Sequence, residues 1–329
     1  MKKLLLFLYA IVIGNASLAQ GYSQFKKSDT ISIASKFFQS ERKVIITKSQ
    51  RIKIEAKENN CIIYTDADDK NINGTLLQVA DNLCLNKEIP QSYFVGIIQQ
   101  DRDNELLEKD KLLRFLKEEL VPLLKKNYNI AERVTIVGHS FGAYFATYAF
   151  LKENAIFNSC IAISPAYWPN NIDVLALMEE KSITNSIRGN FYMAIGDKRW
   201  DEISLRKYVV KAQGILKSSQ NIRFDFSDLK GFSHNATPTV GYGLGLSFIY
   251  DEWEWGNILD EQERRLKSFP TFWGHLEVKA DALYHLGRPS EAKTVYNEAL
   301  KDIPKDQDLS DKEKSEIAGR LNNKIKNCI

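Results

Sequence analysis

Five short runs of consecutive apolar residues recur along the chain, and they limit its fold more than any other feature. They lie at residues 61–64, 93–98, 134–137, 160–163 and 191–195. Helical patterns follow several of them, with apolar residues near the 3.6-residue period over 105–128 and further predicted helices at 141–151 and 205–216. Continuously apolar strands that alternate with helices are typical of a mainly parallel sheet covered on both faces. The sequence therefore predicts an α/β fold whose ligands bind beyond the carboxyl ends of the strands.

Weaker patterns flank this core. Residues 31–34, 44–47 and 52–54 predict short antiparallel strands before the first run, and 222–226 alternates as expected of a strand nearer the sheet edge. Beyond Phe269 the strand patterns stop. There we predict one helix-turn-helix repeat of the tetratricopeptide type over 273–306 and a further helix over 312–326. We expect a main domain over 20–268 and a helical extension over 269–329, which packs on the main domain or docks a protein partner.

The first residues have the order of a secretory signal peptide. Lys2 and Lys3 precede an apolar run over 4–13, and small residues follow up to Ala19. The apolar run is about ten residues long, whereas a membrane-spanning helix needs about 20. We therefore predict a signal peptide over 1–19, cleavage near Ala19, no membrane span, and an exported protein, periplasmic or secreted.

Export would place the cysteines in a compartment where disulfides form. Four cysteines allow three full pairings, among which the sequence does not choose: Cys61, Cys84, Cys160 and Cys328. Because Cys61 and Cys160 lie inside apolar runs, we expect them to be buried free thiols.

Composition excludes several other classes of protein. A chain that is 44% hydrophobic and 11% aromatic has too much apolar surface to stay disordered. The formal net charge is +3 without a basic stripe, so we expect no nucleic acid as a partner. No Cys-x-x-Cys or Cys/His spacing points to zinc. We expect neither a metal nor an organic cofactor.

A candidate nucleophile follows the third apolar run. Gly138-His139-Ser140-Phe141-Gly142 joins this strand directly to the predicted helix 141–151. That strand–turn–helix context is the one a nucleophile elbow requires, in which a strained turn presents the serine at the carboxyl edge of the sheet. The two glycines remove side chains that would clash across the turn, and the helix N-terminus adds N–H groups and partial positive charge. Ser140 is the predicted nucleophile; the alternative is a glycine-rich turn with an incidental serine.

A serine nucleophile needs a base, and the chain contains four histidines. His139 is next to the serine and should point away from it, whereas His275 and His285 fall in the predicted C-terminal helices. His234 lies in a polar loop after the last strand, where this fold places its base. We therefore predict His234 as the general base.

The acid should follow the strand at 191–195, where the loop contains Asp197, Asp201 and Glu202. Its function is to orient the imidazole and stabilise the charged form. We favour Asp201, which lies further into the loop, over Asp197. A Ser-His pair without an acid is a further alternative.

Backbone N–H groups should stabilise the oxyanion of the tetrahedral intermediate. One is that of Phe141, the residue after the nucleophile. The second should come from the turn after the first apolar run, at Ala67 or Asp68.

Several segments resemble the putative-esterase family, which includes enterochelin esterase-like siderophore hydrolases, esterase D-type enzymes and feruloyl esterases. The similarities run in order over about residues 25–255: Ser40-Glu41-Arg42, Tyr64-Thr65-Asp66, Gly96-Ile97 through Arg102, the S-P-x-x-W segment Ser164-Pro165-Ala166-Tyr167-Trp168, and Ser233-His234 before Gly243-Leu244. The resemblance implies an α/β-hydrolase fold, with Ser140 and His234 as nucleophile and base and the oxyanion donors at Phe141 and the Asp66-Ala67 turn. Many members have Asp-Gly at that turn, so the Cβ of Ala67 is expected to intrude there, and the acid loop does not align.

These features together predict an exported serine hydrolase that cleaves carboxylic esters through an acyl-enzyme. The substrate would be a siderophore lactone, a feruloyl or acetyl ester on polysaccharide, or a small ester. We expect Trp168, Trp200 and Arg102 to contact it. The alternatives are a non-catalytic hydrolase-fold module that recruits a partner through the C-terminal repeat, and a serine peptidase using the same triad.

Overall fold

The computed structural model describes residues 28–48, 58–199 and 202–328. The predicted signal peptide, the strand predicted at 52–54, Trp200 and Asp201 lie outside these ranges.

An eight-stranded sheet forms the centre of the main unit, in the order β1-β2-β4-β3-β5-β6-β7-β8. The strands are β1 (Asp29–Ser35), β2 (Ser40–Lys48), β3 (Asn60–Tyr64), β4 (Ser92–Ile97), β5 (Val134–His139), β6 (Phe157–Ile163), β7 (Gly189–Gly196) and β8 (Ile222–Leu229). The pairs β1–β2 and β2–β4 are antiparallel and all others are parallel. The five apolar runs coincide with β3 to β7, and β8 lies at the edge, so the predicted α/β fold is confirmed.

Seven α-helices in the described ranges connect these strands. They are α1 (Lys70–Leu85), α2 (Arg102–Leu107), α3 (Asp110–Phe115), α4 (Val121–Tyr128), α5 (Phe141–Lys152), α6 (Pro169–Ile183) and α7 (Glu202–Ser218). Helix α5 packs against β5 and β6, and all residues from Gly142 to Leu151 are buried. The helix that follows the nucleophile motif is therefore a core element, which holds its first residues in a fixed place.

The single helix predicted over 105–128 is wrong in detail. Helices α2 and α3 are separate, and a π-helical segment, Leu116–Leu120, joins α3 to α4. Pro122 lies two residues after that segment; it has no N–H, and its ring clashes with the carbonyl of the preceding turn of a regular helix.

The chain divides into two compact units. The first contains the described residues up to Asn82 together with Gln91–Gly243, and the second contains Leu83–Pro90 and the described residues from Leu244. The boundary predicted near residue 269 falls inside the second unit. Every residue discussed below for the candidate site belongs to the first.

The helices after β8 are α8 (Pro238–Ile249), α9 (Asp251–Ser268), α10 (Trp273–His285), α11 (Pro289–Asp302) and α12 (Asp311–Asn327). Helices α10 and α11 form the predicted helix-turn-helix, and Ala280, Leu283, Ala292 and Tyr296 contribute to the hydrophobic core of the second unit. Its assignment to the tetratricopeptide type stays a prediction. None of the described helices combines the length and apolarity needed to span a bilayer.

All four cysteines fall within the described ranges and are buried, and Cys61 and Cys160 are free thiols. The expectation for Cys61 and Cys160 is thus confirmed.

Candidate active site

The turn between β5 and α5 holds Ser140 in a left-handed backbone conformation, with φ 56° and ψ −118°. A non-glycine residue there is strained, as in the turn predicted from the sequence. A Cβ on Gly138 would lie 2.1 Å from the carbonyl oxygen of Gly142, and one on Gly142 would lie 2.1 Å from Thr65 Oγ1. Only glycine fits at these two positions, so the predicted elbow geometry is confirmed.

His234 begins a short 3₁₀ turn, His234–Ala236, after β8. Its Nδ1 lies 3.2 Å from Oε1 of Glu202, the first residue of α7, whose side chain is fully buried. The His234 ring packs 4.6 Å, centroid to centroid, from the ring of His139, the residue before Ser140. The predicted base and a carboxylate therefore lie together beside the elbow.

The carboxylate partner of His234 differs from the sequence prediction. Oδ2 of Asp197 accepts a hydrogen bond of 2.8 Å from the N–H of Gly231 and pairs with Arg199 at 3.3 Å. That backbone hydrogen bond and the nearby guanidinium lower the pKa of Asp197. The described partners of the Asp197 carboxylate are thus Gly231 and Arg199, whereas the carboxylate that contacts His234 is Glu202. Asp201 is outside the described residues, and its neighbour Glu202 occupies the expected position.

Gly196, at the end of β7, allows the segments that carry Glu202 and His234 to converge. A Cβ there would lie 2.5 Å from the carbonyl oxygen of Phe232 and 3.0 Å from Cγ of Glu202. The N–H of Asp197 also donates to Phe232 at 2.8 Å, which ties the two loops together. The absence of a side chain at Gly196 therefore lets Glu202 approach the loop that carries His234.

The side chain of His139 also contacts the backbone of His234. Nε2 of His139 lies 2.9 Å from the carbonyl oxygen of His234. Burial, together with the neighbouring His234 ring, lowers the pKa of His139 to about 3. His139 is therefore neutral near neutral pH and can donate from Nε2 without placing a second positive charge beside the base. The sequence predicts only that His139 points away from Ser140.

The oxyanion donors predicted from the sequence have different outcomes. Phe141 is the first residue of α5, where a helical N–H has no partner within the helix. The N–H of Ala67, in contrast, donates to the carbonyl of Ile97 at 3.1 Å. Ala67 is therefore wrong as an oxyanion donor, and Asp68 stays the prediction for that turn.

The methyl group of Ala67 also does not behave as expected. A Cβ built on Gly96 would lie 2.6 Å from Cβ of Ala67, so this methyl faces β4. Ala67 is buried. Because Gly96 has no side chain, the methyl group of Ala67 fits against β4, and the expected intrusion on the turn is not seen.

Arg102, expected to contact substrate, is anchored to the turn after β3. Its Nε pairs with Oδ1 of the buried Asp66, whose other oxygen accepts a hydrogen bond of 2.9 Å from Thr65 Oγ1. Burial raises the pKa of Asp66, and the guanidinium opposes that shift. The guanidinium lies 5.9 Å from the ring centroid of Phe141. Arg102 thus links the oxyanion turn to the residue after Ser140.

Trp168 forms one wall of a pocket close to Glu202 in sequence. The side chain is 49% exposed, and its ring lies 5.7 Å from that of Phe141. The pocket, about 570 Å³, is also lined by Ile203, Ser204, Lys207 and Tyr208. Because Ile203 directly follows Glu202, this pocket begins next to the carboxylate that contacts His234.

Among the described residues, no group of three or more His, Cys, Asp or Glu side chains is arranged to hold a metal ion.

Comparison with known proteins identifies the family. The family model described as "Putative esterase" matches residues 35–281. The chain belongs to this family. A search of curated proteins found no match.

Solved structures share the fold of this esterase-family chain. An uncharacterised protein from Capnocytophaga ochracea is similar with a TM-score of 0.59 and 16% identity, over 92% of this chain and 99% of that one. An IroE-like serine hydrolase from Shewanella oneidensis has a TM-score of 0.61 and 15% identity, over 83% and 99%. The enterobactin esterase FES from Shigella flexneri has a TM-score of 0.57 and 19% identity, over 68% and 59%. The fold is that of the α/β-hydrolases.

Proposed function

We propose that this protein hydrolyses carboxylic esters through an acyl-enzyme formed on Ser140, with His234 as base and Glu202 as acid. The observation that carries the proposal is the contact of 3.2 Å between His234 and a fully buried carboxylate, beside a serine in a strained elbow. A buried carboxylate is costly unless it is paired, and the imidazole is the cationic partner that acyl transfer generates. Membership of the putative esterase family supports the same reaction.

In the acylation step, Ser140 Oγ attacks the ester carbonyl carbon while Nε2 of His234 takes the hydroxyl proton. Glu202 accepts the hydrogen bond from Nδ1 and stabilises the imidazolium. The N–H of Phe141, with a second donor proposed at Asp68, stabilises the oxyanion. The imidazolium then gives its proton to the departing alcohol. In deacylation His234 activates water, which attacks the acyl carbon and releases the carboxylic acid.

The proposed substrate is an ester with a flat, apolar group that lies against Trp168. The exposed indole and the neighbouring pocket of about 570 Å³ support this assignment. The enterobactin esterase and an Aspergillus nidulans siderophore hydrolase share the fold, so a siderophore lactone is one candidate. Feruloyl or acetyl esters on polysaccharide and small esters are the others. With the predicted signal peptide, the reaction would take place outside the cytoplasm.

Hydrolysis of ethyl acetate and of methyl ferulate, whose acyl group carries a flat aromatic ring, tests both parts of this proposal. Ser140→Ala should lower kcat by about a thousandfold or more. Ser218→Ala, which removes an exposed hydroxyl from the end of α7, is the matched control and should behave as wild type. Trp168→Ala should raise KM for methyl ferulate more than for ethyl acetate, which has no aromatic ring. Equal hydrolysis by wild type and Ser140→Ala would overturn the proposed reaction.

A further inference from the structure

Behind the Glu202–His234 pair lies a set of hydrogen bonds that the proposed reaction does not itself use. Ser164 Oγ donates to Oε1 of Glu202 at 2.5 Å, the same oxygen that faces the imidazole. Thr237 Oγ1 donates to the backbone carbonyl of His234 at 2.7 Å. The two hydroxyl oxygens are 2.9 Å apart. With the contact from His139 to the same carbonyl, three side chains hold both members of the pair.

These three side chains are buried. Ser164 and Thr237 have no exposed surface, and His139 is 5% exposed. Substrate entering from solvent would meet the ring of His234, which is partly exposed, before it met any of them. They can therefore act on the reaction only through Glu202 and His234.

Glu202 depends strongly on Ser164. Within the described part of the chain, its second oxygen, Oε2, is buried and has no hydrogen-bond partner. Both hydrogen bonds of the carboxylate therefore converge on Oε1, one from the base and one from Ser164. Without the serine hydroxyl, the imidazole would be the one remaining hydrogen-bond partner of the carboxylate among the described residues.

The backbone conformation of Ser164 allows the hydroxyl to be removed without straining the fold. Its φ is 44°, in the left-handed region that glycine adopts without strain. Its N–H donates to Ala194 at 2.7 Å, a bond that any residue can make. Replacing Ser164 by glycine would therefore relax the backbone while it removes the hydroxyl.

We propose that Ser164, Thr237 and His139 are positioning residues that fix the orientation of the acid and base, with Ser164 holding Glu202 and the other two holding the His234 backbone. This inference rests on the proposed function, since it concerns the geometry of that reaction. Small displacements of a base from its productive position cost large factors in rate. In metal sites, residues that hold a ligand side chain in one orientation likewise affect activity by large factors when they are replaced.

The decisive variant is Ser164→Gly, assayed with p-nitrophenyl acetate. We expect kcat to fall by about tenfold or more and KM to stay near wild type. The melting temperature should change little, because relief of the positive φ offsets the lost hydrogen bond. The acid limb of the kcat/KM profile should move to higher pH, because Oε1 of Glu202, without the hydrogen bond from Ser164, attracts the protonated imidazole more strongly. Wild-type kcat and an unmoved profile in Ser164→Gly would overturn the assignment of Ser164.

Thr147→Val is the matched control for loss of a buried hydroxyl in the same unit. Thr147 has no exposed surface, and its hydroxyl bonds to Ala143 and Tyr167 within 2.8 Å, without touching the base or acid. It should lower the melting temperature but leave the pH profile of kcat/KM unchanged. A moved profile in this variant would mean that general destabilisation, rather than positioning, explains the effect at Ser164.

His139 is tested by rescue. His139→Leu removes the donor to the His234 carbonyl, whereas His139→Gln places an amide N–H at a similar distance from the backbone. We expect about a tenfold lower kcat in the leucine variant and recovery to within about threefold in the glutamine variant. Equal kcat in both variants would overturn this part of the network.

The outcomes separate this inference from the proposed function. If Ser140→Ala hydrolyses the ester as wild type does, the proposed function fails. If Ser140→Ala is inactive while Ser164→Gly and His139→Leu keep wild-type kcat and pH profiles, only the positioning network fails.

Discussion

Replacing the proposed acid, Glu202, should lower kcat by a factor that follows from its distance to Nδ1 of His234. Glu202→Gln keeps the shape of the side chain, and its carbonyl oxygen can still accept the bonds from Ser164 and from Nδ1 of His234. The substitution removes the negative charge and places an amide NH2 where the buried, unpaired Oε2 lies. Because both hydrogen bonds to Oε1 can be kept, its effect on kcat mainly reports the charge that stabilises the imidazolium.

That charge lies 3.2 Å from Nδ1. At an effective dielectric constant of about 20, two unit charges at this separation attract by about 5 kcal/mol. An energy of that size corresponds to a rate factor between about 10³ and 10⁴. We expect a decrease in kcat in this range for Glu202→Gln, with a melting temperature at or above that of wild type, because the fully buried side chain becomes neutral.

Asp197→Asn is the matched control, since Asp197 is the other described carboxylate of the same loop and bonds to Gly231 and Arg199 instead. Steady-state hydrolysis of p-nitrophenyl acetate should show less than about a threefold change in kcat for this variant. A loss of less than tenfold in Glu202→Gln, or a larger loss in Asp197→Asn, would refute the assignment of Glu202.

Three further predictions concern stability and reactivity. Gly142→Ala places a Cβ 2.1 Å from a neighbouring side-chain oxygen, so it should cost roughly 1–3 kcal/mol in urea unfolding and lower kcat as the elbow moves; wild-type behaviour would contradict the observed packing. Since His139 has a pKa of about 3 when folded but about 6.5 when unfolded, the unfolded state binds more protons between these pH values, and His139 lowers stability as pH falls through this window. His139→Gln lacks this loss, so the difference in unfolding free energy between this variant and wild type should increase in favour of the variant as pH falls from about 6.5 towards 3. A difference that does not change with pH would refute the lowered pKa of His139. Burial raises the pKa of Cys61 and Cys160, so neither should react with a disulfide reagent until the protein is unfolded, and fast native labelling of either would contradict their burial.

The parallel part of the sheet was predictable because its strands are buried on both faces. Strands in that position contain few polar residues, and β5, for example, is buried at every residue. The elbow was predictable for a related reason, since its two glycines stand where only backbone fits. His234 followed from the order of elements and from the small number of histidines.

The acid and the oxyanion turn depend on contacts that local sequence does not encode. The helical pattern predicts a helix from residue 205, whereas α7 begins at Glu202, and this difference turns a loop residue into a buried first helical residue. The only sequence signal was an acidic residue shortly before a predicted helix. The hydrogen bond from Ala67 to Ile97 joins backbone atoms of two distant segments, and residue identity does not reveal such a bond.

The measurement that tests the central claim most directly is covalent labelling of the serine. The protein is treated with a fluorophosphonate, and the modified residue is located by peptide mass spectrometry in wild type, Ser140→Ala and His234→Gln. The account predicts one adduct on the peptide that contains Ser140, much slower labelling in His234→Gln and none in Ser140→Ala. Labelling of a different residue at the same rate in all three proteins would contradict it.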